Sequence, residues 1–86
     1  MTRQLMLHDL PNISKVIKSR LLKAGINTPS QLLAIGSQEA FLRLKLQDPS
    51  CCVNMLYALE GAIEGIRWHH LSDEKKRELK AFYKSF

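Results

Sequence analysis

Residues 51–65 read CCVNMLYALEGAIEG, and the apolar positions in and just beyond that run recur at helical steps. Cys52, Leu56, Leu59, Ile63 and Ile66 are three or four residues apart, the spacing that gathers side chains on one face of an α-helix. Glu60 and Glu64 mark another face. The expected helix runs from about Cys51 to Gly65. Gly61 and Gly65 lie four apart with Ala58 and Ala62 beside them. A glycine within a helix costs about 1 kcal/mol relative to alanine, so these small residues imply the close approach of a neighbouring backbone.

Upstream, Asp48-Pro49-Ser50 breaks the chain. Before it, Ser37 is placed to cap a helix whose Ala40, Phe41, Leu42, Leu44 and Leu46 are too apolar for an exposed rod. Thr28-Pro29-Ser30-Gln31 is the clearest helix start. Thr28 caps, Pro29 fills the first position at no cost in hydrogen bonds, and Gln31 completes a capping box. That short helix carries Leu32, Leu33 and Ile35 and ends at Gly36. Earlier still, Leu10-Pro11-Asn12-Ile13-Ser14 is a turn that hands over to a helix capped by Ser14. Ile13, Ile17, Leu21 and Ala24 share one face of it, and Gly25 supplies the left-handed stop. Leu5, Met6 and Leu7 suit one helical turn closing onto the core. Downstream, Ser72 caps a last helix with Asp73 and Glu74 at its positive end and Leu79, Phe82, Tyr83 and Phe86 on one face. No strand pattern competes. The expectation is a compact all-α domain over residues 1–86, with five helices and the N-terminal turn as an optional sixth.

Composition agrees. Leu occurs 14 times against 2 Val and 6 Ile, a balance that favours helix over strand. With 45% hydrophobic and 24% charged residues, the 86-residue chain can build one core and should fold. The longest apolar runs are too short to span a membrane, and the N-terminus lacks the apolar stretch of a secretory signal, so a cytoplasmic protein is expected. Adjacent Cys51 and Cys52 rarely close a strain-free bridge and read as small buried hydrophobes. Charge is uneven: residues 1–25 carry +4, residues 26–66 carry −2 and residues 67–86 carry +3. If the two basic ends meet in space, they could steer an anionic partner.

The order Leu10-Pro11-Asn12-Ile13-Ser14, Ala24-Gly25-Ile26-Asn27-Thr28 and Leu32-Leu33-Ala34-Ile35-Gly36 looks like a helix-hairpin-helix unit. Glu39–Lys45 and Asn54–Ile63, with Gly65 and Trp68, are more specific. Together, over about residues 9–80, they resemble the C-terminal domain of the TfoX/Sxy family of competence regulators. The resemblance implies a fold related to the SAM-like and helix-hairpin-helix domains. It further implies a part in transcriptional activation, alongside the cyclic-AMP receptor protein. DNA-binding hairpins of this kind hold glycines where this chain has Asn12 and Ser14, which impairs a phosphate cradle.

Catalysis finds no nucleophile motif, no phosphate loop and no dinucleotide fingerprint, so a non-enzymatic domain without cofactor is expected. Glu60 and Glu64 read as a solvated acidic stripe. Trp68-His69-His70 offers adjacent histidines that point apart, and His8 is the only other one, so no metal site is expected. Trp68 reads as a core plug under the last helix, with its indole N–H partnered.

Two classes of function remain. The first is a protein-interaction module of a transcription regulator, docking through Leu22, with Phe82, Tyr83 and Phe86 offering a weak homodimer surface. The alternative is non-specific DNA binding through Asn12, Ser14, Lys15, Lys18 and Lys23, joined by Lys76 and Lys80 of the last helix. Lys15, Lys18 and Lys23 fall within about 140° on a helical wheel, opposite Ile17 and Leu21. The first is favoured, because the hairpin glycines are absent and no aromatic stacking platform accompanies the basic residues.

Overall fold

Side-chain caps set three of the helix starts. Ser14 Oγ accepts the Ile17 N–H at 3.2 Å and opens α1, Lys15–Lys23. Thr28 Oγ1 accepts the Gln31 N–H at 3.1 Å and opens α2, Pro29–Ile35. Ser72 Oγ accepts the Lys75 N–H at 3.1 Å and opens the last helix, Asp73–Lys84. The computed structural model describes residues 5–85; among these, two further α-helices and two 3-10 turns, Leu7–Asp9 and Trp68–His70, complete the chain without a strand. The further helices are α3, Ser37–Gln47, and α4, Val53–Glu64, which makes the last helix α5.

Two local expectations are corrected. Gln31 Oε1 accepts the N–H of Asn27 at 2.6 Å, one residue before the cap, so the box reaches further upstream than its usual form. Ser37 is no cap. Gly36 closes α2 through Leu32 O at 2.8 Å and opens α3 by accepting the Ala40 N–H at 3.1 Å. With φ of +86°, this one glycine is the whole connection, so Ser37 becomes the first residue of α3. Its hydroxyl is buried and donates to Glu60 Oε1 at 2.6 Å.

α4 is the central element. Leu56, Tyr57, Ala58, Leu59, Gly61 and Ala62 are all buried, more than one face of a helix, as expected of a helix surrounded by others. α2, α3, α5 and the Trp68–His70 turn pack around it, while α1 lies on α3 and the N-terminal turn. Leu7, Ile17, Leu21, Phe41, Leu44 and Leu79 join the core from the other elements. α1 and α4 end alike. At α1 the Ile26 N–H reaches back to Leu21 O at 2.9 Å and Gly25 to Leu22 O at 3.0 Å; at α4 Ile66 reaches Gly61 O at 2.9 Å and Gly65 reaches Ala62 O at 3.3 Å. Both are Schellman stops, with Gly25 at φ +83° and Gly65 at φ +75°.

The cysteines divide. Cys51 is buried, but Cys52, the extended N-cap residue before α4, is exposed. The α3–α4 loop is tied to α1 through Arg20, whose guanidinium meets Asp48 Oδ2 at 2.8 Å and Cys51 Sγ at 3.4 Å. No helix among the described residues is long and apolar enough to cross a membrane.

Candidate functional site

Asn12 is the only non-glycine among the described residues with positive φ, at 69°. Its side chain turns inward. Nδ2 donates to Ile66 O at 2.9 Å and to Ala58 O at 3.4 Å, and Oδ1 accepts the Trp68 N–H at 3.2 Å. The hairpin before α1 is thereby clamped to the end of α4 and to the Trp68–His70 turn. Gly61 makes room for this clamp: a Cβ there would lie 2.6 Å from Asn12 Nδ2 and 2.8 Å from Ile66 O. The close backbone approach expected from the small residues of α4 is thus located at Gly61, whereas Gly65 serves the left-handed stop.

Next to the clamp, the starts of α1 and α4 open onto one depression of about 390 Å³. Its polar lining includes Ser14, Cys52, Asn54, Arg67 and His69, and Ile17, Met55 and Trp68 supply apolar wall. No acidic residue lines it, and neither helix carries an acid in its first turn. Trp68 is half-buried rather than a core plug. Its ring stacks on Tyr57 with centroids 5.7 Å apart and on His69 at 3.9 Å, with interplanar angles of 25° and 26°. Lys76 Nζ stands 5.9 Å from the Trp68 ring centre and donates to His69 O at 3.2 Å. An aromatic stack with a cation beside it therefore exists, contrary to the sequence expectation. Tyr57 and Trp68 are eleven residues apart in different elements, so no periodicity joins them. The one visible signal was the Trp68-His69-His70 triplet, of which Trp68 and His69 join the stack. Among the described residues no cluster of three or more His, Cys, Asp or Glu side chains could hold a metal ion.

The other basic candidates are dispersed. Lys15 and Lys23 are exposed on α1, and Lys18 Nζ sits 3.0 Å from His8 Nδ1. Lys80 is exposed on α5, which packs on α4. Of the apolar candidates, Leu22 is 43% exposed. Phe82 and Tyr83 are half-buried against the core, with Tyr83 at 5.9 Å from the Phe41 ring. Phe86 lies outside the described residues. Among the described residues the most exposed large apolar side chain is Leu46, at 86%, on a helix whose apolar run is otherwise largely covered. With Leu42, Lys45 and Pro49 it lines an open, largely apolar hollow of about 510 Å³ at the end of α3. Lys45 is fixed there. Its ammonium donates to Pro49 O at 3.1 Å and stands 5.5 Å from the Tyr83 ring centre.

Glu60 and Glu64 are not a plain solvated stripe. Burial opposes the charge on Glu60, yet hydrogen bonds from Glu64 and Ser37 and the charge of Lys75 together hold its carboxyl below the ordinary range. Glu64 is raised, first by its hydrogen bond to Glu60 and then by burial and by the Glu60 charge.

This all-α, five-helix domain matches the TfoX C-terminal domain family over residues 3–83. It is 36% identical over 73 residues to Protein Sxy of Escherichia coli strain K12, covering 85% of this chain and 35% of Sxy. The chain thus spans about a third of that relative's length. Two crystal structures of proteins from Listeria monocytogenes share the fold. An uncharacterized protein in a triclinic form is 56% identical with a TM-score of 0.92, covering 94% of this chain and 92% of that one. A protein of unknown function in a tetragonal form is 57% identical with a TM-score of 0.90, covering 92% and 96%. The chain belongs to the TfoX C-terminal domain family, a regulatory and competence-related family and not a known family of enzymes.

Proposed function

We propose that this domain is a protein-docking module of a competence-type transcription regulator and that the hollow at Leu42, Leu46 and Pro49 receives its partner. The observation that carries this reading is Leu46, an exposed leucine beside a leucine, a proline and a fixed ammonium. Exposed apolar side chains grouped with an ordered charge are what a docking anchor needs. The fixed Lys45 suits a partner segment that is apolar with an acidic flank. By family resemblance, the cyclic-AMP receptor protein is the first partner to test.

A duplex lying across both basic helices has less support. Asn12 spends its side chain inside, Lys18 is engaged by His8 and Lys76 by the Trp68–His70 turn. The test is titration of labelled cyclic-AMP receptor protein with the domain and with Leu46→Asp. Binding that changes little with salt and drops at least about tenfold in the variant supports docking at this hollow. Binding that is equal in both proteins, or none at all, overturns it.

A further inference from the structure

We propose that the depression between the starts of α1 and α4 binds single-stranded nucleic acid, one base extending the Tyr57–Trp68–His69 stack and its phosphate lying beside Arg67. His69 is exposed and lines the depression, so its imidazole is accessible to a further ring entering there. An unpaired base offers its face to such a ring, whereas a base within a duplex has both faces covered by its neighbours. Stacking therefore selects single strands over duplex.

The surroundings fit an anion and no cation. Arg67 is exposed at the rim, and no carboxylate lines the depression. The hydroxyl of Ser14 and the amide of Asn54 supply polar contacts for base edges or sugar. The platform is also held in place before any ligand arrives. Asn12 Oδ1 fixes the Trp68 backbone at 3.2 Å, and Lys76 Nζ fixes His69 O at the same distance. A preorganised platform loses less freedom on binding. This site lies apart from the Leu46 hollow and shares no lining residue with it, so the inference goes beyond the docking reading.

Trp68 is the only tryptophan in the chain, so its fluorescence reports on the stack directly. Oligo-dT and oligo-rU of about 12 nucleotides, and a duplex of equal length, are titrated at about 50 mM salt. The expected results are quenching of Trp68 by both single strands and at least about tenfold weaker binding of duplex. His69→Ala should weaken binding about 5- to 100-fold at an unchanged melting temperature, and His69→Phe should restore it. Arg67→Ala should reduce the salt slope by about one. Leu46→Asp should bind the strands as the parent does. A stronger response to rU assigns the 2′-hydroxyl a contact, and equal responses assign the site to any single strand; both uphold the proposal. Absent quenching, duplex binding as tight as single strand, or binding indifferent to His69→Ala overturns it.

Discussion

Asn12 shows what one residue can decide here. At this position a DNA-binding hairpin has glycine, which permits the backbone angle and nothing more. Asparagine tolerates φ of 69° and adds three side-chain hydrogen bonds that join hairpin, α4 and the Trp68–His70 turn. Backbone and side-chain contributions separate by mutation. Asn12→Gly keeps the angle and loses the clamp, at a cost of about 1 to 3 kcal/mol; Asn12→Ala adds about 1 to 2 kcal/mol of backbone strain. Urea denaturation of the two variants should order them parent, Gly, Ala; an Asn12→Gly protein as stable as the parent would remove the clamp. Gly61→Ala is the complementary test. Helix propensity alone favours alanine by about 1 kcal/mol, but a methyl group 2.6 Å from Asn12 Nδ2 must displace that amide. The expected net effect is destabilisation, read as a lower melting temperature. The glycine's importance was legible in the sequence from its cost. Its partner was not, since Asn12 and Gly61 lie in elements that only the tertiary fold brings together.

Between elements, the titratable contacts give stability a pH dependence of known sign. Asp48 is held below its ordinary value of 3.8, first by the hydroxyl and N–H of Ser50 and further by Arg20, against the opposing effect of burial. A depressed carboxyl contributes stability that is present above the ordinary value and lost as pH falls through the lower folded one. Asp48→Asn should therefore be less stable than the parent near neutral pH, and the gap should close in strong acid, as followed by denaturant unfolding. Glu64 has the opposite sign. Its raised carboxyl contributes stability below the ordinary value of 4.5 that disappears as pH rises through the folded one, where the pair loses its shared proton. Glu64→Gln keeps a donor toward Glu60 at every pH. The variant should melt higher than the parent near neutral pH and alike below the carboxylate range; an equal melting temperature at both would contradict the contact. At this scale the helices were largely legible, because Ser14, Thr28, Ser72, Gly25 and Gly65 are local signals that act locally. Ser37 misled because the same local signal was overruled by a glycine before it and by Glu60, 23 residues away, in need of a donor.

Over the whole molecule, five helices with α4 at their centre leave two surfaces with different chemistry: an apolar hollow at the end of α3, and a carboxylate-free depression at the starts of α1 and α4. The all-α fold and the family were readable from apolar spacing and ordered motifs. The surfaces were less so. Leu42 and Leu46 lie one turn apart on the face of α3 away from the buried Ala40, Phe41 and Leu44, and the apolar content of the run alone does not separate the two faces. The two basic ends were expected to form one field if they met. Instead α1 leans on α3 and α5 on α4. Leu46→Asp changes a side chain that is 86% exposed, so its folding cost should stay within about 0.5 kcal/mol while docking is lost. Amide chemical-shift mapping of the labelled domain during titration with cyclic-AMP receptor protein tests the docking claim most directly. The expected result is that residues 42–49 shift first and furthest and that Leu46→Asp abolishes those shifts. Shifts confined to the hairpin, the start of α4 and the Trp68–His70 turn, with residues 42–49 unmoved, would contradict it.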